Sequence, residues 1–193
     1  MFHWLSFLTY SLVTAITPGP NNLMALSNGT RLGFWRALPF NLGVTCGCAV
    51  ALLLCAAACS LLSAYIPKFQ LPMLVVGALY MLWLAWKTLR STGDLETGHT
   101  HGGFVAGTLL QFVNPKFYLY GIVSMEAYIL PYYHGRPVAV LGFSVLLAVI
   151  AGVCTALWSA FGSAFRRLFS AHARVVNAVM AALLALCAAS LFL

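Results

Sequence analysis

Long apolar stretches alternate with short polar segments from one end of the 193-residue chain to the other. A helix that crosses a bilayer needs about 20 mainly apolar residues, and the pattern has room for six. We place the spans at residues 4–28, 39–65, 69–89, 104–130, 138–162 and 175–193. The pattern therefore predicts an all-α polytopic membrane protein with a single transmembrane domain, residues 1–193.

Two of the six spans are interrupted by proline. Residues 17–22 read Thr-Pro-Gly-Pro-Asn-Asn in span one, and residues 111–116 read Gln-Phe-Val-Asn-Pro-Lys in span four. A helix cannot run unbroken through proline, because proline has no N–H to donate and clashes with the preceding turn. In lipid, the freed backbone groups are tolerated only where they face protein or line a water-containing cavity. Each break therefore predicts a polar site inside the membrane.

The two breaks lie at corresponding places in the two halves of the chain, about residues 1–92 and 100–193. Each half has three spans and begins with its broken one. Since three is an odd number, we expect the two halves to be inverted repeats, the arrangement in which matched breaks meet near the midplane of a transporter. At a rise of about 1.5 Å per residue, Pro18 is roughly 20 Å from the outer end of its span. By the same rise, Pro115 is about 17 Å from the inner end of its own, so the two breaks can meet.

We expect the residues of the two breaks to form a substrate-binding site that needs no metal ion and no cofactor. The predicted site residues are Pro18, Gly19, Pro20, Asn21, Asn22, Gln111, Asn114, Pro115 and Lys116.

Lys116 is the most informative of these residues, because a lysine at the bilayer centre costs about 2.5–3.5 kcal/mol on insertion scales. Its ammonium either meets an anionic substrate group such as a carboxylate, or is tied to carbonyls released by Pro115 as a structural clamp. Gln111 and Asn114 suit either role. Asn114 can also cap the half-helix that follows it, whose N-terminal dipole attracts anions.

Composition supports the membrane assignment. Hydrophobic residues make up 62% of the chain and charged residues only 7%, too few charges to cover a soluble domain of this length. Residues 1–10 contain no Lys or Arg, and the apolar stretch that follows reaches Pro18 without a small-residue cleavage site. We therefore expect the first segment to stay in the protein rather than to be removed as a signal peptide.

Basic residues alternate from one predicted loop to the next. The first, third and fifth loops carry seven, and the second and fourth carry two: Arg31, Arg36, Lys87, Arg90, Arg166, Arg167 and Arg174 against Lys68 and Arg136. The positive-inside rule places the odd loops in the cytoplasm, so both termini are predicted to be periplasmic. The net charge of +7 is then mostly a topological signal, and it requires no nucleic-acid partner.

Glu126 is the only acidic residue within a predicted span. It lies about one turn from Pro131, near the outer end, where its carboxylate can reach the membrane interface. Alternatively it couples transport to protons, since acidic residues in membranes often relay them. Lys116 is the other titratable group at depth, and the coupling ion stays open.

Several other residues that could carry chemistry have simpler explanations. Gly43 and Gly47 allow two helices to approach closely, either inside one subunit or at the seam of a homo-oligomer. His99 and His101 lie in a polar loop that lacks a metal-ligand spacing. We expect the six cysteines to pack as small hydrophobes in the spans: Cys46, Cys48, Cys55, Cys59, Cys154 and Cys187.

Taken in order along the chain, the motifs resemble the lysine-exporter superfamily, the LysE and RhtB transporters. The resemblance rests on residues 18–22, on Gly77-Ala78-Leu79-Tyr80 running to Arg90, on residues 111–116, and on Arg31-x-Gly33, Gly43-x-x-x-Gly47 and Phe104-x-x-Gly107. Residues 18–22 with Leu26-Ser27, together with residues 111–114, are most similar to the cysteine and O-acetylserine exporter branch. The resemblance implies export of amino acids or their derivatives across the bacterial inner membrane, driven by the membrane potential or a proton gradient.

The residues also bear on the substrate. No acidic residue lies near either break, so a cationic substrate would carry an unpaired charge at depth. We therefore expect small neutral amino acids such as cysteine and O-acetylserine. The alternatives are a passive channel or facilitator, and an exporter of homoserine, threonine or lysine. A membrane-embedded enzyme would need a nucleophile or metal with acid–base partners, and we expect no enzyme because the span cores contain neither His nor Asp.

Overall fold

The computed structural model is helical in every regular element of the part of the chain that it describes. It describes residues 2–62, 75, 78–79, 81–83, 85–86, 88–90, 103–133 and 135–189. Within these residues no strand occurs, which confirms the all-α fold class. The predictions for residues 63–74 and for the polar loop 91–102, with Asp94, Glu96, His99 and His101, lie outside the described residues.

The structure gives bounds for three helices in the first half, which also has described helical residues between positions 75 and 90, and for six in the second half, with one π-helical segment between two of them. In the first half these are α1 Trp4–Ile16, α2 Pro20–Leu32 and α3 Phe34–Leu62. In the second half they are α4 Phe104–Val113, α5 Pro115–Val123, the π-helix Ser124–Ile129, α6 Leu130–Tyr133, α7 Pro137–Ala164, α8 Arg166–Ala171 and α9 Ala173–Ala189.

Both predicted breaks are present. The helix α1 ends at Ile16, the backbone is extended at Thr17 and Gly19, and Pro20 is the first residue of α2. In the second half α4 ends at Val113, and Asn114 is extended with φ −91° and ψ 103° before α5 begins. Proline suits a first helical position, because the N–H that it lacks would have no partner inside the helix.

Two of the described helices, over Phe34–Leu54 and Pro137–Ala164, are long and apolar enough to cross a membrane. The segments Trp4–Ile16, Phe104–Val113 and Arg174–Ala189 are apolar but shorter. Large apolar side chains point outward from these helices, and Leu5 and Val138 are each 82% exposed. Such a surface suits lipid rather than water.

Glycines bring α2 and α7 into backbone contact. A Cβ placed on Gly29 would overlap the backbone carbonyl of Ser159, and one placed on Gly162 would overlap the carbonyl of Leu26. The contact is therefore reciprocal, with one glycine on each helix. Small residues of this kind let membrane helices pack by close van der Waals contact.

A second reciprocal pair joins α3 and α4. A Cβ on Gly43 would overlap the carbonyl of Phe104, and one on Gly107 would overlap the carbonyl of Phe40. The sequence left open whether Gly43 packs inside one subunit or at the seam of an oligomer. In the structure, Gly43 packs against α4 of the same subunit. Both glycine pairs join the predicted first span of one half to the predicted second span of the other half.

Aromatic rings gather where α1 begins. Phe2 and Trp4 contact Phe143 of α7, with ring centroids 5.2 and 5.6 Å apart, and Phe2 also contacts Tyr133 at 5.6 Å. This cluster fixes the start of α1 against α6 and α7. Tyr132 also belongs to it, with its ring centroid 5.7 Å from that of Phe2.

The described part of span three packs inward along one face. Ala78, Met81 and Ala85 are buried, and their spacing of three and four residues places them on the same side of a helix. Ala78 and Met81 contact Ala188 of α9, and Ala85 joins a cluster formed by α2 and α9. Residue Gly77 and the side chains of Tyr80 and Lys87 lie outside the described residues.

Candidate functional site

A cavity of about 40 Å³ lies where the two breaks meet. A volume of this size holds about three water molecules, which is less than the seven heavy atoms of cysteine require. Its lining comes from α1, α2, α5, α7 and both breaks: Thr14, Ala15, Gly19, Pro20, Asn21, Asn22, Asn114, Lys116, Phe117, Tyr120, Ala151 and Thr155.

The ammonium of Lys116 reaches from the second break to the first. Its Nζ donates to the carbonyl oxygen of Thr17 at 2.8 Å, to Thr17 Oγ1 at 2.8 Å and to the carbonyl oxygen of Pro18 at 3.2 Å. These carbonyls are free because the last C=O groups of a helix have no partners within it. The lysine is thus tied to carbonyls, but to those of the first break rather than to those released by Pro115.

Gly19 leaves the space that this lysine fills. A Cβ on Gly19 would lie 3.0 Å from Lys116 Cδ and 3.2 Å from its Nζ, closer than side-chain carbons normally pack. A side chain at position 19 would therefore require the end of the Lys116 side chain to shift by a few tenths of an ångström. The glycine of the first break and the lysine of the second depend on each other.

Three amide side chains connect the two breaks. Asn21 Nδ2 donates to Gln111 Oε1 at 2.9 Å, and Gln111 Nε2 returns a bond to Asn21 Oδ1 at 3.3 Å. Asn114 Nδ2 donates to the same Asn21 oxygen at 3.1 Å. Asn114 stands at the N-cap position of α5, but its side chain makes no capping bond. The side chain therefore does not cap the helix: its Nδ2 bonds across the interface, and Oδ1, the atom that would accept a capping bond, has no partner among the described residues.

Asn22 closes the end of α1. Its Nδ2 donates to the carbonyls of Ala15 and Thr17, both at 2.8 Å, and its Oδ1 accepts a bond from Thr155 Oγ1 of α7 at 3.4 Å. Thr17 thus offers its carbonyl oxygen to both Asn22 and Lys116. Asn22 makes no bond to the Pro18 carbonyl. Among the site residues predicted from the sequence, only Lys116 donates to that carbonyl.

The structure brings the predicted residues of both breaks to one place, with two exceptions. Glu126 is exposed on the π-helix and does not line the cavity. The ring of Pro115 lies outside the described side chains, although its backbone begins α5. Lys116 and Glu126 are the two residues considered for coupling transport to an ion, and of these two only Lys116 lines the cavity.

Sequence reasoning missed several residues at the site. Thr17 precedes the first proline and could have been included with its motif, and Tyr120 lies one helical turn after Lys116, on the same face. Thr155 has no local signal, because it lies in the uninterrupted helix α7. Two cysteines taken for packing residues also make weak bonds: Cys48 Sγ to Gln111 Oε1 and Cys187 Sγ to the Pro18 carbonyl, both at 3.4 Å.

The helix ends give the cavity a donor side and an acceptor side. The first turns of α2 and α5 line it, through Asn21 and Asn22 on one helix and Phe117 on the other, and a helix N-terminus carries positive partial charge. The Phe117 N–H itself donates to the Asn114 carbonyl at 3.0 Å. The end of α1 supplies carbonyl oxygens. Among the described residues, no Asp or Glu lines the cavity. This arrangement can bind a carboxylate and an ammonium side by side.

Comparisons with known proteins give consistent results. The family model described as "LysE type translocator" matches residues 12–193. A "Cysteine/O-acetylserine efflux protein" of Klebsiella pneumoniae is 41% identical over 184 residues, 95% of this chain and 93% of that relative. Proteins of the same name from Salmonella choleraesuis and Escherichia coli O1:K1 are 39% and 38% identical over 188 residues, 97% of this chain and 96% of each relative. No solved structure matches the chain.

The family match covers both breaks, Lys116 and every residue that lines the cavity. The matches cover almost the full length of each relative, so the similarity is not confined to one motif. The chain belongs to the LysE family of translocators.

Proposed function

We propose that this protein is a secondary active exporter of small neutral amino acids, such as cysteine and O-acetylserine, in the bacterial inner membrane. A member of a translocator family moves its substrate rather than converting it, so we do not regard it as an enzyme. The names of relatives that are 38–41% identical over nearly the whole chain support this substrate class. The observation that carries the proposal is the cavity between two broken helices, with a lysine at its edge.

The cavity has a partner for each group of an amino acid. The substrate carboxylate binds at the first turns of α2 and α5, where the helix dipoles attract anions, and it is also within reach of Lys116. The ammonium binds to carbonyl oxygens at Thr17 and Pro18. The amides of Asn21, Gln111 and Asn114 complete the site, and they suit a thiol, a hydroxyl or an acetyl ester.

Charge selects against basic amino acids at this site. A lysine or arginine substrate brings a second cation, and the described cavity lining supplies no carboxylate to pair with it. An unpaired buried charge is costly. A neutral zwitterion avoids this cost, because its two charges match the acceptor and donor sides of one cavity.

We infer that the protein has six spans arranged as two inverted repeats and works by alternating access. Each half begins with a span broken at proline, and each glycine crossing pairs the first span of one half with the second span of the other. If the two halves are exchanged, the crossing of α2 with α7 takes the place of the crossing of α4 with α3. An inverted repeat requires this correspondence. The small cavity also supports a mechanism in which the repeats move apart to admit the substrate near the midplane.

Coupling to an ion is part of this proposal. Lys116 lines the cavity, whereas Glu126 is exposed on the π-helix. A protonation change of Lys116 would act directly on the groups that hold substrate, and Glu126 would have to act from a distance. We therefore favour Lys116 over Glu126 as the coupling residue.

A passive facilitator with the same fold is the competing function, and transport against a gradient distinguishes the two. Purified protein in proteoliposomes is given labelled O-acetylserine, or labelled cysteine with a reductant, and a proton gradient or membrane potential is imposed. We expect accumulation above equilibrium that collapses with an ionophore. Equilibration without accumulation would instead support a facilitator. Excess unlabelled cysteine should slow transport, and competition by lysine stronger than that by cysteine would contradict the substrate class.

A further inference from the structure

The ammonium of Lys116 already occupies the acceptors that the proposed function assigns to the substrate ammonium. A lysine ammonium has three N–H donors, and Lys116 Nζ has three oxygen partners: the carbonyls of Thr17 and Pro18 and the Thr17 hydroxyl. The described contacts therefore satisfy its full donor capacity. We name these three oxygens the ammonium cradle.

The cradle holds one ammonium at a time. Lys116 fills the space beside Gly19 closely enough that one added carbon on the glycine would touch it, and the cavity beyond has only about 40 Å³. Two cations would also repel each other here, because the described lining has no carboxylate to neutralise the second one. A substrate ammonium and the Lys116 ammonium are therefore mutually exclusive.

We propose that Lys116 is a tethered occupant of the ammonium cradle, that the substrate ammonium displaces it, and that the displaced Lys116 then pairs with the substrate carboxylate. The inference rests on the proposed function of the same cavity and adds an exchange step to it. Lys116 is the second residue of α5, so its stem starts beside the helix N-terminus at which the carboxylate binds. Rotation about the four-carbon stem moves the ammonium from one position to the other.

The exchange makes the site selective for ligands that carry both charges. A ligand with an ammonium but no carboxylate would displace Lys116 and leave that buried cation without a partner. A ligand with a carboxylate alone could draw Lys116 away, but no ammonium would then replace it, and the two cradle carbonyls would keep only their bonds from Asn22 and Cys187. A zwitterion alone satisfies the cradle and Lys116 together, and cysteine and O-acetylserine are both zwitterions.

Binding of cysteine and of cysteamine tests the exchange. Cysteamine keeps the ammonium and the thiol of cysteine but has no carboxylate. Both are titrated against wild-type protein and Lys116→Met in lipid nanodiscs under a reductant, with Arg136→Met as the control for loss of a cation far from the cavity. We expect Lys116→Met to bind cysteine at least tenfold more weakly than wild type and cysteamine at least tenfold more tightly, because its cradle is vacant.

The outcomes separate the exchange from the proposed function. If Lys116→Met loses cysteine affinity while its cysteamine affinity stays at the wild-type value, Lys116 pairs with the carboxylate but does not guard the cradle, and the exchange is wrong. If wild-type protein binds neither ligand, nor O-acetylserine, the proposed substrate class itself fails. If Lys116→Met binds both ligands as wild type does, the lysine is a structural clamp and the exchange is again wrong.

A measurement on wild-type protein covers the case in which Lys116→Met does not fold. The chain has three lysines, Lys68, Lys87 and Lys116, so ¹⁵Nζ-lysine labelling gives few signals in solid-state NMR. We expect the Lys116 nitrogen to show a dipolar coupling to the ¹³C-labelled carbonyl of Thr17 without substrate. With saturating cysteine labelled at its carboxyl carbon, this coupling should be replaced by one to the substrate. Persistence of the Thr17 coupling at saturation would overturn the exchange.

Discussion

The ammonium of Lys116 lies 2.8 Å from the carbonyl oxygen of Thr17, although 99 residues separate the two along the chain. The contact joins the broken span of one half to the broken span of the other. Each partner is available because of a proline: Pro18 and Pro20 keep the Thr17 carbonyl out of a helix, and Pro115 sets the start of the helix that carries Lys116. The two breaks therefore form one site.

The glycine crossing of α2 and α7 should be sensitive to a single methyl group. In Gly162→Ala the new Cβ overlaps the carbonyl of Leu26, whereas in Gly142→Ala, on the same helix, it meets open space. We expect Gly162→Ala to destabilise the protein by about 1–3 kcal/mol, as overpacking does. Gly142→Ala should be neutral or stabilising by up to about 1 kcal/mol from helix propensity. Unfolding in mixed micelles measures both, and equal stabilities would contradict the crossing.

The amide pair of Asn21 and Gln111 should show energetic coupling. Gln111→Leu removes both bonds to Asn21 and leaves Asn21 Nδ2 without its partner, at a cost of about 1–3 kcal/mol. Asn21→Leu removes the same two bonds, although Gln111 keeps its bonds to Gly107 and Cys48. The double variant Asn21→Leu/Gln111→Leu removes both groups and should lose less stability than the two single changes summed. A double-mutant cycle by chemical unfolding measures this difference. Simple additivity would mean that the two amides do not interact.

We expect the native Asn28 to make the protein less stable than an apolar residue at the same position would. Its side chain is 1% exposed, and within the described part of the chain neither Nδ2 nor Oδ1 has a hydrogen-bond partner. Asn28→Leu removes this desolvation cost at similar volume, so we expect unfolding to require about 1–3 kcal/mol more. Asn41→Leu is the contrasting variant, because Asn41 bonds to Ser159 at 3.0 Å, and it should destabilise. A loss of stability in Asn28→Leu would show that the amide has a partner.

The predicted orientation can be tested from outside intact cells. Arg136→Cys, before α7, and Ala171→Cys, in α8, are introduced separately into a chain whose native cysteines are replaced by alanine. Both positions are exposed. An impermeant maleimide should label position 136 in intact cells and position 171 only after the membrane is opened, because the charge pattern places the fifth loop inside. Labelling of position 171 in intact cells would reverse the orientation.

Local rules predicted the breaks and their amides. Proline cannot continue a helix wherever it lies in the fold, so residues 18–20 and residue 115 could be read directly from the sequence, and the flanking Asn and Gln residues followed. The same reasoning identified Lys116, because a lysine so far from either end of an apolar span is costly in any fold.

Partners set by tertiary packing could not be predicted in this way. The sequence does not indicate which carbonyl groups Lys116 contacts. The structural-clamp interpretation therefore named the carbonyls released by Pro115, which are the nearest along the chain. Asn114 was a reasonable cap by its position, but its Nδ2 is oriented by the bond to Asn21 across the interface, and its Oδ1 makes no capping bond. Thr155 reaches Asn22 only because α7 crosses α2 at glycines, a contact that follows from the assembled fold rather than from either segment.

Efflux from loaded proteoliposomes tests the central claim, that the junction of the two breaks is the transport site. Vesicles carry labelled cysteine under a reductant and equal amounts of wild-type protein, Lys116→Met or the control Arg136→Met, which lies outside the cavity lining. Wild type and Arg136→Met should release cysteine at comparable rates, and Lys116→Met should fall at least tenfold, towards the rate of protein-free vesicles. Wild-type efflux from correctly inserted Lys116→Met would contradict the account.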